Sequence, residues 1–388
     1  MKFFQKILLA PAVAGLFSPI AANASEANLK GVTHYSESGI QINLDSFKPL
    51  STKNPLLAGG EGMNHNHSDS SDFDSDSFSS TTTASFSSNW AIGAVEGLTA
   101  EEKVGVAWDY QIDLTTSFTG NDSLDVSLDA GSGSLSELDL NGNGSGLIVD
   151  GIGYTTTLGE RLTVFFGDTM DGSTLYNTAC VYGGQTNALD DCGNLNSALA
   201  LGFGTTAGAS FDLGSGFTAA LGYEGEGNSS KGILTDEGRD AFGGQLAFSN
   251  DTFGVSVTWA NIENADLAGS TVSTGLNAYY TPEIANFPSI SVGFENNHDD
   301  TASSDTDESS HYFVGIQFDE FGDGTFGAAL GSKDAYKENS DAEVMYEAYY
   351  AYNYADGMTI TPIVYVKENA ADNVDDETGI ILKTTFSF

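Results

Sequence analysis

The sequence predicts an all-β protein, a transmembrane antiparallel β-barrel of about 16 strands that follows a signal peptide and a flexible N-terminal segment. Two observations lead to this prediction. Apolar and polar residues alternate with a period of two in strand-length segments from about Thr83 onward, and turn residues separate the segments. No apolar run of about 18–20 residues follows the N-terminal segment, so no transmembrane helix is expected. A bilayer admits only helices and closed barrels.

The N-terminus has the pattern of a secretory signal peptide. Lys2 and Lys6 form a basic start, residues 7–20 are mostly apolar, and Ala-Asn-Ala at 22–24 is a typical small-residue cleavage site. We therefore predict a signal peptide over residues 1–24 and export of the rest of the chain.

Residues 25–82 differ in composition from the rest of the chain. The run MNHNHSDSSDFDSDSFSS at 63–80 is polar and of low complexity, which is typical of a flexible linker. His65 and His67 could hold a divalent metal, but a solvated linker is the favoured interpretation. The predicted barrel domain then covers residues 83–388.

The clearest predicted strand runs from Val104 to Thr115. Its even-numbered residues are apolar: Val104, Val106, Trp108, Tyr110, Ile112 and Leu114. Its odd-numbered residues are small or polar: Gly105, Ala107, Asp109, Gln111, Asp113 and Thr115. Only a period of two separates the two sets this cleanly. The same alternation recurs at 124–130, 207–213, 253–259, 312–318 and 344–354.

A soluble β-sandwich also alternates, so a second property has to distinguish it from a barrel. The apolar faces carry Trp, Tyr and Phe near strand ends, as the interfacial girdles of membrane barrels do. The opposite faces carry small residues and carboxylates, which suit a wet interior. Pro362 fits a closed barrel poorly, because it lacks the N–H for one ladder bond, and we expect a bulge or a later strand start there.

The charge balance excludes some partners and predicts others. The chain has 54 Asp and Glu against 13 Lys and Arg, a formal net charge of −41, which argues against nucleic acid and against anionic membrane surfaces. Acidic side chains on the inward faces predict a weak cation preference. The predicted lining residues are Asp109, Asp113, Asp125, Asp129, Asp212, Arg161 and Lys383.

The chain has two cysteines, Cys180 and Cys192. In an oxidising compartment a pair separated by a short loop predicts one disulfide. Both lie in the longest irregular stretch, residues 169–204. That stretch is either a loop that folds inward and narrows a channel or a loop on the outer surface, and the sequence leaves both interpretations open.

Catalytic motifs are absent from the sequence, so we predict no enzyme activity and no resident cofactor. One turn matches the start of a calcium loop, with candidate ligands Asp139, Asn141, Asn143 and Asp150. Acidic clusters predict solvated surface loops, and the alternative interpretation is that these loops bind calcium or other divalent cations. Their members are Asp299, Asp300, Asp305, Asp307 and Glu308, then Asp372, Asp375, Asp376 and Glu377.

The last strand ends in TTFSF, with Phe386 and Phe388 on its apolar face. This ending looks like the signal that the bacterial barrel assembly machinery recognises. Three further segments carry a likeness to a known family: FSSTTTASF at 78–86, WDYQIDLTTSFTGNDSL at 108–124 and GERLTVFFGD at 159–168.

With these segments the chain resembles the cyanobacterial outer-membrane porins related to the carbohydrate-selective (OprB-type) family, often called iron-uptake porins. The resemblance implies a monomeric or trimeric pore in the outer membrane for passive diffusion of small hydrophilic solutes and ions, including carbohydrates or inorganic iron. Family members carry an S-layer-homology segment, for which residues 25–62 are too short. A barrel with a plugged interior and an exported soluble adhesin stay open as alternatives.

Overall fold

The computed structural model describes residues 81–388 with gaps at 98–102, 134, 191, 193–198, 200, 202–203, 228–229, 265–268, 285, 303–306, 334–335, 338–341 and 370–374. The predicted signal peptide, the linker with His65 and His67, and the acidic residues Asp305 and Asp372 lie outside the described residues. Among the residues described, no helix has the length and apolarity needed to cross a membrane.

The described residues form 17 strands in one sheet, of which β14 has two residues. Their bounds are β1 Thr82–Glu96, β2 Val104–Thr116, β3 Asp122–Gly131, β4 Gly144–Leu158, β5 Leu162–Asp168, β6 Thr205–Gly214, β7 Phe217–Gly225, β8 Asp240–Ser249, β9 Phe253–Glu263, β10 Ser270–Tyr280, β11 Ser289–Asp299, β12 Glu308–Phe321, β13 Gly324–Ser332, β14 Tyr336–Lys337, β15 Val344–Ala355, β16 Met358–Lys367 and β17 Glu377–Ser387.

The sheet closes on itself. Trp90 in β1 lies opposite Trp108 in β2 on one side and opposite Thr384 in β17 on the other. All pairings between neighbouring strands are antiparallel, and the first and last strands leave no open sheet edge along this seam. The predicted all-β barrel and its strand count are confirmed. A two-sheet sandwich, the fold expected of a soluble adhesin, is wrong for this chain.

The two ends of the barrel differ in their connections. At the turn end, where β1 begins and β17 ends, strands are joined by short segments such as 159–161, 215–216 and 356–357. Gly357 in the last of these has a φ of 70°, and a Cβ there would lie 2.3 Å from the carbonyl oxygen of Ser387. At the loop end the connections are longer, and the longest spans 169–204.

Side chains alternate between the two sides of the wall as the sequence predicts. In β2, Val104 and Val106 are 70% and 60% exposed on the outer face. Ala107 and Asp109, which follow them in the strand, are 2% and 7% exposed on the inner face. A strand that turns its large aliphatic side chains outward and its aspartates inward is the reverse of a soluble barrel, and it suits an apolar surrounding.

Aromatic side chains form a belt around the turn end. Phe217, Phe248 and Phe253 are in contact, with ring centroids 4.7 and 5.1 Å apart. Phe321 contacts Tyr350 at 6.1 Å further around the wall. Rings at this level match the interfacial girdle expected of a membrane barrel.

Pro362 is accommodated by a local interruption of the ladder. It lies opposite Leu382 of β17. On its other side, in the ladder between β15 and β16, Tyr349 pairs with Ile363 and Tyr352 pairs with Ile360. The described residues between these two pairs, Pro362 among them, form no ladder pair with β15. The missing N–H therefore interrupts one ladder while the strand itself continues, and no later strand start is needed.

Candidate functional site

The described residues of the connection between β5 and β6, within 169–204, fold into the barrel, and we call them the long inner loop. The backbone N–H of Asn177 donates to Oε1 of Gln245 in β8 at 2.6 Å. The N–H of Val181 donates to Oγ of Ser291 in β11 at 3.1 Å. Both acceptors are inward-facing wall residues with little exposure. Of the two interpretations of this stretch, the structure supports a loop that folds inward.

Cys180 and Cys192 form a disulfide within the long inner loop, with their Cα atoms 6.2 Å apart. Cys192 is fully buried against the wall. At Gly293 in β11, an added Cβ would lie 1.6 Å from the carbonyl oxygen of Cys192. The close approach of the loop therefore requires glycine on the wall at this point.

An apolar cluster seats the long inner loop on strands β12 and β15. Tyr182 and Leu189 of the loop are buried with Phe313, Met345 and Tyr349 of the wall. The Tyr182 ring lies 5.3 Å from that of Phe313 and 5.9 Å from that of Tyr349. Besides the small residues and carboxylates expected there, the inward faces carry these large apolar side chains, with which the wall supplies a hydrophobic core for the loop.

The described residues of a second connection, within 132–143 between β3 and β4, also fold inward, and we call them the short inner loop. The N–H of its Asp139 donates to the carbonyl of Gln185 at 3.2 Å, and the N–H of Asn187 donates to the carbonyl of Glu137 at 3.1 Å. Leu138 between them is fully buried. The two inner loops are therefore hydrogen-bonded to each other inside the barrel.

Four predicted lining aspartates lie on the inner faces of β2 and β3. The short inner loop covers two of them: Asp109 accepts the N–H of Asn141 at 3.4 Å, and Asp129 accepts the side-chain amide of Asn143. Asp113 and Asp125 stay half-buried. Asp125 accepts from the Thr115 hydroxyl at 2.8 Å, so this carboxylate is held in place.

The other predicted lining residues occupy two levels. Arg161 is exposed in the turn between β4 and β5, and its carbonyl accepts the N–H of Asp212 at 2.9 Å, so both lie at the turn-end rim. Lys383 projects from the middle of β17 into the interior. Its ammonium interacts electrostatically with the carboxylates of Asp139, Asp109 and Glu347.

The four candidate calcium ligands have separate surroundings. Asp139 interacts electrostatically with Lys383 and Asp109, whereas Asp150 interacts electrostatically with Asp129 and Asp113. Asp150 also lines a cavity of about 330 Å³ with Asp125 and the start of the long inner loop. Within the described ranges, no group of three or more His, Cys, Asp or Glu side chains could hold a metal ion. Calcium binding stays a prediction.

Sequence reasoning missed an ion cluster at the loop end. Lys367 in β16 pairs with Glu137 and, at 3.0 Å, with Glu377. The assignment of Glu377 to an acidic surface loop is wrong, since it is the first residue of β17 and is 4% exposed. The signal was available, because Glu377 and Lys383 are separated by an even number of positions and so share the inner face.

The closed barrel with inward-folded connections defines the class: the chain has the porin-type fold. Among solved structures it is similar to Pseudomonas putida OprB, with a TM-score of 0.59 and 11% identity over 79% of this chain and 94% of that one. It is also similar to a mutant of the Rh. blastica porin, with a TM-score of 0.51 and 15% identity over 79% of this chain and 100% of that one. No family model matches the sequence, and no curated protein does.

Proposed function

We propose that this chain is a bacterial outer-membrane porin, a water-filled channel for passive diffusion of small hydrophilic solutes and ions. The observation that carries the proposal is the combination of an aliphatic outer face with half-buried carboxylates on the inner face of β2 and β3. A wall of this kind separates lipid from water. Neither energy coupling nor a catalytic residue is part of the proposal.

The charge of the open part of the interior supports a weak cation preference. Asp113 and Asp125 are half-buried, and Asp150 is exposed beside them. Fixed carboxylates around a narrow aqueous path raise the local cation concentration. Carbohydrates and inorganic iron are the solutes to test first. The other proposed partners are surface calcium, outer-membrane lipid, the barrel assembly machinery and two further copies in a trimer.

A barrel with a plugged interior is the second candidate, and one observation favours it. Inward-facing residues of β7, β10 and β11 are completely buried: Glu224, Asn277 and Glu295. At these three positions the inner face of the wall is therefore not accessible to water. Diffusion would have to follow the side of the interior next to β2, β3 and β4.

Conductance of the purified chain in a planar bilayer separates the two candidates. Stepwise current increases in KCl, together with swelling of sugar-loaded liposomes that contain the protein, support a pore. Heat-unfolded protein added in the same detergent serves as the control. A folded, heat-modifiable barrel that inserts but passes no current would exclude passive diffusion and leave the plugged barrel.

A further inference from the structure

An ion triad at the loop end joins the short inner loop to the wall. Lys367 is the last residue of β16, and Glu377 is the first residue of β17. The Lys367 ammonium contacts Glu137 of the short inner loop and Oε2 of Glu377. The three side chains are 17%, 13% and 4% exposed, respectively. The triad is therefore largely removed from bulk water, where ion pairs are weak.

Hydrogen bonds complete the attachment. Oε1 of Glu377 accepts from the Tyr365 hydroxyl at 2.8 Å and from the hydroxyl of Ser136. Two successive residues of the short inner loop, Ser136 and Glu137, thus bind the wall at one point. A buried ion pair persists only with such additional hydrogen bonds around it.

The attachment also includes the long inner loop. The backbones of Glu137 and Asp139 in the short inner loop are hydrogen-bonded to Asn187 and Gln185 of the long inner loop, respectively. The N–H of Gln185 in turn donates to both carboxylate oxygens of Glu347 in β15, each at 3.1 Å. A continuous series of contacts therefore runs from β16 through both inner loops to β15, the neighbouring strand of the wall.

We infer that Lys367 is a positioning residue that holds the short inner loop, and through it the middle of the long inner loop, against the β15–β17 side of the interior. It thereby sets the width of the channel. The inference rests on the proposed pore function. If the ammonium is removed, Glu137 and Glu377 become two buried like charges without a counter-ion, and their repulsion drives the loop from the wall.

Three variants test this role by single-channel conductance. Lys367→Gln is expected to raise the conductance roughly twofold, because a widened channel passes more ions. Lys367→Arg keeps the charge and restores the original value. The matched control is Lys231→Gln, which removes a lysine from a more exposed pair with Glu226, 2.8 Å apart, in the β7–β8 connection, and it leaves the conductance unchanged.

A charge exchange separates positioning from a general loss of stability. Lys367→Glu combined with Glu137→Lys places the ammonium on the loop, where it faces two carboxylates again. The double variant is expected to return to the original conductance, whereas Lys367→Glu alone is expected to have a higher conductance than Lys367→Gln. Heat-modifiable gel mobility confirms that each barrel is folded. Unchanged conductance in a folded Lys367→Gln barrel overturns the inference.

Hydrogen exchange makes the test independent of ion flow. Amides of residues 135–143 are expected to exchange roughly tenfold faster in Lys367→Gln than in the original chain or in Lys231→Gln. If the original chain passes no current but these amides exchange faster in Lys367→Gln, the proposed function fails and the positioning role stands. If the original chain conducts and the amides keep their protection in Lys367→Gln, the positioning role fails and the pore stands.

Discussion

The hydroxyl of Tyr182 in the long inner loop donates a hydrogen bond of 2.7 Å to Oε1 of Glu347 in β15. The same carboxylate accepts the backbone N–H of Gln185. Burial, together with the neighbouring negative charge of Glu347, raises the pKa of the Tyr182 hydroxyl. The hydroxyl therefore stays protonated and donates at neutral pH. One buried glutamate thus holds the loop through both a side chain and the backbone.

Tyr182→Phe is expected to loosen the long inner loop while the ring keeps its apolar contacts. The lost hydrogen bond is worth about 1–3 kcal/mol, because the buried Glu347 loses one donor. The temperature at which the folded gel band converts to the unfolded band is expected to fall. The fluctuation of the single-channel current is expected to rise. The control is Tyr350→Phe, which removes a hydrogen bond to the Phe321 carbonyl at the turn-end rim. Equal current traces for the two variants would contradict the role of Tyr182.

Reduction of the Cys180–Cys192 disulfide is expected to destabilise the seated loop by about 2–3 kcal/mol, because the reduced loop gains conformational freedom. The expected readout is a change in single-channel conductance on addition of a thiol reductant. The double variant Cys180→Ser with Cys192→Ser should show the reduced behaviour at the outset and no response to reductant. If the conductance of the original chain does not change on reduction, and thiol labelling verifies the reduction, the wall contacts alone fix the loop.

Neutralising the half-buried carboxylates should weaken cation preference. The double variant Asp113→Asn with Asp125→Asn keeps hydrogen-bond acceptors for Ser127 and Thr115 but removes two charges. The cation-to-anion permeability ratio, obtained from reversal potentials in a KCl gradient, is expected to fall roughly twofold. Asp212→Asn at the rim should have a smaller effect. Anion preference in the original chain would refute the lining assignment.

The β1–β17 seam is expected to depend on Phe388. Its backbone forms two hydrogen bonds with Phe86, of 2.9 and 3.0 Å, and the two rings stack with centroids 5.5 Å apart. Phe388→Ala removes a ring contact worth about 0.5–1.5 kcal/mol beyond its apolar area. The fraction of chain that refolds into a heat-modifiable barrel in detergent should fall. Phe118→Ala, at an exposed turn-end position, is the matched control and should refold normally.

The wall could be predicted from sequence because strand side chains alternate with an invariant period. The predicted strand Val104–Thr115 differs from β2 by one residue. The predicted irregular stretch 169–204 fills the gap between β5 and β6. The inward position of Lys383 also followed from alternation alone. The inner loops have no such period, so their course could not be read from their own residues.

Alternation along the chain by itself determined the strands and their two faces, since each depends on neighbours within one segment. The position of aromatic residues near strand ends then favoured a membrane barrel over a sandwich. Only the tertiary structure decided that both loops turn inward, that Tyr182 meets Glu347, and that Lys367 meets Glu137 from a position 230 residues away. Such contacts depend on which strands become neighbours when the barrel closes. Burial then makes each unpaired charge or donor unfavourable until it finds a partner.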